Sequence, residues 1–171
     1  MAAGKTYEPI ATTTGTGSST QITFTSIPQT YTDLILVCSD INVQTVNVGM
    51  RFTNDSGSNY SRTVTFADQS GGAQSFRNSN QTQAYTTYRD LASSTDKLVF
   101  AVTHIMNYTS TTTNKTFLTR LSTVGGVGPI TTMMIAGLWR NTSAINKIDI
   151  FSELANFSTT CKFTLYGIAA A

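Results

Sequence analysis

Short runs of β-branched and aromatic residues recur about every 10 to 15 positions along the whole chain, separated by clusters of Gly, Asn, Asp and Ser. No stretch carries the three-to-four-residue apolar spacing of a long amphipathic helix. The runs predict strands at Tyr7 to Thr13, Gln21 to Thr25, Asp33 to Ser39, Val46 to Thr53, Tyr60 to Phe66 and Gln83 to Arg89. Further strands are predicted at Lys97 to Tyr108, Thr116 to Ser122, Ile130 to Trp139, Ile145 to Phe151 and Thr160 to Ile168. About 8 to 11 strands suffice for two packed sheets, so the expected fold is an all-β antiparallel sandwich, jelly-roll-like.

Side chains alternate across a strand, so parity assigns faces. In Lys97 to Tyr108 one face carries Leu98, Phe100, Val102, His104 and Met106, and the other Val99, Ala101, Thr103, Ile105 and Asn107. Both faces are largely apolar, which predicts a central strand, and Asp33 to Ser39 reads the same way. Val46, Val48, Met50 and Phe52 alternate with Asn47, Gly49, Arg51 and Thr53, the pattern of a sheet wet on one side. The connectors are Thr14 to Thr20, Asn54 to Asn59, Asp68 to Asn80, Gly125 to Pro129 and Arg140 to Ser143, rich in residues that tolerate positive φ or bond their own backbone. The segment from Asp68 to Gln83 is longer than the usual loop of about 4 to 6 residues, and long loops on rigid sandwiches often bind.

The 171 residues suit one domain, read as residues 7–171 preceded by a flexible arm at 1–6. Charged residues make up 12% of the chain, about half the usual ~25%, so Thr, Ser, Asn and Gln must keep the surface wet. A net charge of +2 from scattered basic residues does not suit nucleic acid. No apolar run is long enough for a helical membrane span, and residues 1–20 lack a secretory pattern, so synthesis and folding in a cytoplasm are expected. The Asn-X-Ser/Thr triplets are then products of composition rather than glycosylation sites. Cys38 and Cys161 fall in separate strand-like runs, where a buried thiol is the expected state and a disulfide the alternative.

Chemistry has few residues to work with. His104 is the only imidazole, its strand neighbours are apolar, and a packed, hydrogen-bonded role is expected rather than catalysis. The acidic residues are dispersed, although a fold can still assemble a hydrolytic pair from distant strands. Asn54 to Asn59 alternates carboxylate and amide oxygens in the manner of a calcium loop, but one carboxylate is too few and a plain turn is expected. Gly125 to Gly128 lacks the Lys-Ser/Thr of a phosphate loop. No catalytic residue, metal or cofactor is therefore expected. Phe76, Tyr85, Tyr88, Tyr108 and Trp139 lie in or beside polar segments, where aromatic rings either fill the core or anchor interfaces. Trp139 ends an apolar run and is read as core. The candidate interaction loop comprises Phe76, Arg77, Asn78, Asn80, Tyr85 and Tyr88.

Four segments, Ser26 to Leu34 (SIPQTYTDL), Arg51 to Ser61 (RFTNDSGSNYS), Gly137 to Ile148 (GLWRNTSAINKI) and Thr164 to Ile168 (TLYGI), carry a resemblance. Together they resemble a group of tailed-bacteriophage virion proteins, common in marine and cyanobacterial phages, that occur as capsid decorations, head appendages or tail and fibre components. The likeness runs from about Tyr7 to Ile168. It implies a jelly-roll-like sandwich on the virion surface, in contact with other virion proteins and with copies of itself, without enzymatic activity. A decoration or cement protein on the head is the leading expectation. A receptor-binding or fibre-tip module recognising host glycans is the alternative. Residues 1–5, including Ala2 and Lys5, form a candidate inter-subunit arm, with a disordered terminus as the competing reading.

Overall fold

A computed structural model describes residues 6–41, 47–67, 72–87, 98–124 and 132–169. Among these residues the chain forms twelve strands: β1 (Tyr7–Thr14), β2 (Gln21–Phe24), β3 (Asp33–Ile41), β4 (Val48–Phe52), β5 (Tyr60–Ala67), β6 (Ala73–Gln81), β7 (Ala84–Tyr85), β8 (Leu98–Met106), β9 (Lys115–Val124), β10 (Thr132–Trp139), β11 (Ile148–Ser152) and β12 (Lys162–Ile168). They form an eight-stranded sheet, β1-β12-β3-β8-β9-β10-β5-β6, and a four-stranded sheet, β2-β11-β4-β7. Every pairing is antiparallel. The all-β sandwich expected from periodicity is what the chain builds.

Parity places the core between the two sheets. From the large sheet, Leu34, Leu36 and Cys38 of β3, Ala101 and Ile105 of β8, Phe117 of β9, Ile135 and Trp139 of β10 and Val64 of β5 point inward and are buried. The small sheet contributes Val48, Met50 and Phe52 of β4 and Ile148 and Ile150 of β11. Each such side chain contributes roughly 1.5–3 kcal/mol by leaving water. Phe52 is the hub, in ring contact with Tyr60, Phe117 and Trp139 at centroid distances of 6.1, 5.9 and 5.4 Å. Thr103 and Thr119 are also fully buried, and their hydroxyls satisfy one another across β8 and β9 at 2.8 Å. Phe117 lies over Gly137, its register partner on β10: a Cβ built there would meet Phe117 Cζ at 1.9 Å.

The turns use residues that accept left-handed backbone. Thr53 and Asn54 both have positive φ, and Asp55 N–H donates to Phe52 C=O at 2.9 Å, the signature of a type I′ turn. Asn80 and Asn107 also sit at positive φ, where their short side chains are tolerated. Pro9 is on the edge strand β1, beside a register shift, where its missing N–H costs little.

Three expectations change. Residues 73–81, read as part of a loop, form β6, the other edge of the large sheet, paired to β5 from Ala67↔Ala73 to Tyr60↔Gln81. The strand expected from Gln83 to Arg89 contracts to Ala84–Tyr85 within the described residues, paired with Gly49 and Met50. β8 is central, between β3 and β9, but only one of its apolar faces is covered: Ala101, Thr103 and Ile105 are buried, whereas Phe100 is 43% exposed. At the amino terminus Thr6, assigned to the arm, already accepts a bond from Ala169 N–H at 3.1 Å, while Ala2 and Lys5 lie outside the described residues.

Candidate functional site

The candidate interaction residues do not form one loop surface. Phe76, on the inner side of β6, is half-buried and meets Phe66 edge-on at 6.3 Å. Asn78 faces the same way and its Oδ1 accepts from Arg62 Nε at 3.2 Å. Asn80 accepts from the Arg140 guanidinium at 3.1 Å. Tyr85 is 9% exposed, its ring lies 3.9 Å beneath the Arg62 guanidinium, and its hydroxyl donates to Glu153 at 3.1 Å. Burial, and then the Glu153 charge, raises the Tyr85 hydroxyl above its ordinary pKa. Asn78, Arg62 and Tyr85 thus close one side of the sandwich. Arg77 alone points outward, exposed and paired across the strands with Thr63. Tyr88 lies outside the described residues.

Among the described residues most carboxylates are engaged in holding the fold; Asp40 of β3 is the one that makes no hydrogen bond or ion pair. Asp55 accepts from Gly57 N–H, Asn59 Nδ2 and Trp139 Nε1 at 2.8, 2.9 and 2.7 Å, so this segment is the turn expected and its oxygens are occupied by N–H donors. Asp149 takes Gln21, Thr23 and Lys147. Glu153 joins Asn47, Gln83 and Tyr85 across the small sheet. Asp33 accepts from Asn107 N–H at 2.6 Å and lies 2.8 Å from His104 Nε2. Among the described residues no group of three or more His, Cys, Asp and Glu is placed to hold a metal.

His104 is hydrogen-bonded, as expected, and lies on the outer face of the large sheet with 34% of its side chain exposed. Cys38 and Cys161 are free thiols, both fully buried. Cys38 occupies the inward parity of β3, so the sheet itself separates it from the imidazole.

The feature missed by loop-based reasoning is the outer face of the large sheet. Ile35 of β3, His104 of β8, Leu118 of β9 and Ala136 of β10 are successive cross-strand neighbours there. Val37, Val102, Arg120 and Met134 form the adjoining row. Phe100 and Met134 are 43% and 46% exposed. Beside these rows a trough of about 490 Å³ runs between Met106, Leu118 and Leu138 on one side and Thr63 and Arg77 on the other. The two-sided apolar pattern of β3 and β8 was its sequence signal. By contrast, the small sheet presents Gln21, Thr23 and Asp149, with Arg51 lying 4.6 Å over the Phe151 ring.

Comparison with family models, with curated proteins and with solved structures found no match.

Proposed function

We propose that this protein is a non-enzymatic structural component on the outside of a tailed-phage virion, a capsid decoration or cement protein that stabilises the head. The observation that carries this reading is a filled two-sheet sandwich whose large sheet leaves Phe100 and Met134 43% and 46% exposed on an outer face of mixed apolar and polar side chains, since exposed apolar side chains grouped on a soluble domain are where contact with another macromolecule forms. Two further features support it. β1-β12-β3-β8 opposes β2-β11-β4-β7, and the chain passes from one sheet to the other in the alternation of a jelly roll, with β5–β6 and β9–β10 added to the large sheet. That architecture serves viral capsid and lectin domains as well as metal-binding cupins. Here the space between the sheets is filled by Trp139, Tyr60, Phe52 and Phe117, which suits a scaffold and not a reaction chamber.

The mechanism is mass action. A protein that binds the assembled shell and not its dissociated parts lowers the free energy of the assembled state. Virions prepared with and without the protein test this. The expected result is protein in the head fraction, with DNA released at lower temperature or milder osmotic shock when it is missing. Unchanged tolerance, or a head fraction lacking the protein, refutes the cement role.

The alternative, a fibre-tip module gripping host glycans, draws support from the exposed Arg77 on an edge strand of amide and hydroxyl side chains. It is weakened by Tyr85, whose ring is covered by Arg62 and so offers no stacking platform. Glycan-array binding lost on Arg77→Ala would favour it.

A further inference from the structure

We propose that the free edge of β6 pairs with the same edge of a second copy of this chain, joining two eight-stranded sheets across a two-fold axis at Ser75. The backbone groups that β6 leaves open carry the argument. Arg140 N–H donates to Asn59 C=O next to the register pair Trp139↔Tyr60, so the odd-numbered residues of β5 bond toward β10 and the even-numbered ones toward β6. Arg62, Val64 and Phe66 therefore bond their register partners Asn78, Phe76 and Gln74. The N–H and C=O groups of Ala73, Ser75 and Arg77 point the other way, and among the described residues nothing hydrogen-bonds them. Beyond Asn78 the edge closes: β6 carries an extra residue against β5, Asn80 has positive φ, and Gln81 Nε2 donates to Ser79 C=O.

The other edges select the occupant. At the far side of the large sheet β1 carries Pro9, which has no N–H, and a register shift between Pro9 and Ala11. In the small sheet β2 spans four residues and β7 two. Prolines, bulges and short edge strands are the means by which proteins keep their edges from pairing with other chains, and β6 has none of them from Ala73 to Asn78. Pairing β6 of one copy with β1 of the next would grow an open filament, and Pro9 and the register shift oppose it. Pairing β6 with β6 closes on itself and uses the open edge of both copies.

Register follows from side-chain chemistry. Residues opposite one another in an antiparallel pair share a face, so the axis passes through a residue of β6. Centred on Ser75, the pairing sets Ala73 of one copy against Arg77 of the other and Ser75 against itself, and every outward N–H and C=O of these residues gains a partner. Centred on Arg77, it would set two guanidinium groups opposite each other, which is unfavourable. Centred on Phe76, it would set Ala73 against the bulged Ser79. The axis stands perpendicular to the sheet, so Phe100 and Met134 of both copies face the same side. The pairing is a property of the chain alone and is independent of the particle role proposed above.

Sedimentation equilibrium of the purified chain tests it, and wild-type protein is expected to dimerise. Ser75→Pro removes an outward N–H, leaves the ladder to β5 intact and deletes both bonds of the central pair, so it is expected to raise the dimer Kd at least about tenfold. Ser75→Lys, at an exposed side chain, sets like charges against each other at the axis and is expected to act in the same direction. Thermal melts separate lost pairing from lost folding, and Ser75→Lys carries the test if the proline variant does not fold. Thr12→Lys on β1 and Met134→Asp on the outer face are expected to dimerise as wild type. A monomeric wild type, a dimer that both Ser75 variants leave intact, or one that Thr12→Lys or Met134→Asp disperses would overturn the pairing and leave the proposed function standing. Hydrogen exchange at the Ser75 and Arg77 amides that slows only on head particles, in a chain that stays monomeric, would overturn the second copy as occupant and assign the edge to a strand of another protein.

Discussion

Trp139 donates its indole N–H to Asp55 Oδ2 at 2.7 Å, tying the largest buried ring of the core to the turn that carries the chain from the small sheet to the large one. The link is reinforced nearby. Tyr60 donates its hydroxyl to Asp55 C=O and accepts from Phe52 N–H, and its ring stacks on Trp139 at 6.3 Å. Asp55 is therefore a structural acceptor for a buried donor that water cannot reach.

Asp55→Ala should lower stability by about 1–3 kcal/mol, the cost of leaving a buried polar group unpaired, as read by urea denaturation. Burial pushes the Asp55 carboxyl up, but bonds from Asn59, Trp139, Gly57 and Asn141 outweigh it and hold the group below its ordinary value. Because the folded value is depressed, the stabilisation is complete above the unfolded value of ~3.9 and is lost as pH falls through the folded one. Asp55→Asn should flatten that part of the acid profile. Parallel wild-type and variant curves from pH 5 downward would refute the assignment.

Gly137→Ala places a methyl group where the Phe117 ring lies, with the nearest ring carbon 1.9 Å from the new Cβ. The ring cannot retreat freely, because it also packs edge-on against Phe52 at 5.9 Å. Overpacking of this kind costs about 1–3 kcal/mol or more. Combining it with Phe117→Leu, which opens the space, should give a loss smaller than the sum of the two single changes. Strict additivity in denaturation experiments would show that the two positions are not coupled.

The parts of the fold legible in sequence are those where burial writes an alternation. β3, β4, β5 and β10 carry it and fall close to their expected bounds. β6 was missed because AQSFRNSNQ buries little: as an edge strand it sends Phe76 and Asn78 inward and leaves most other positions in water, so its polarity resembles that of a loop. Arg62 was invisible for a related reason. It has the inward parity of Val64, yet a cation at the margin of a sandwich becomes intelligible only when the Tyr85 ring and Asn78 are seen around it. Two apolar faces on β8 correctly indicated a central strand, but a chain pattern does not say whether the second face is covered, and here Phe100 is left 43% exposed.

Both thiols should be silent in the native protein. Burial, and then the neighbouring Cys161, raises the Cys38 thiol well above its ordinary pKa, and Cys161 is equally enclosed, with Sγ 3.4 Å from Ser158 Oγ. A thiolate is the reactive form, so a thiol reagent at pH 8 should label neither residue until denaturant is added and then label both without prior reduction. Rapid labelling of the folded chain, or labelling only after a reductant, would contradict the buried free state.

Lys115 supplies the last test, because it is a fully buried lysine whose ammonium is met, among the described residues, by two backbone carbonyls and no carboxylate: Nζ donates to Thr113 C=O at 2.8 Å and Thr142 C=O at 3.1 Å. Burial lowers its pKa from the ordinary value. Between that lowered folded value and the unfolded value of ~10.4 the unfolded chain holds more protons, so the contribution of Lys115 to stability rises with pH across this window. Tyr60 and Tyr108, raised by burial, act in the opposite sense at high pH, but they are common to wild type and variant and cancel in the difference. Relative to Lys115→Met, wild-type protein should therefore gain stability as pH rises toward the unfolded value of ~10.4 in denaturant titrations, since the methionine has no charge to shed. A difference that stays constant with pH would mean that the ammonium is as well solvated folded as unfolded, and that its place beside Trp139 at the start of β9 is a geometric burial without an electrostatic cost.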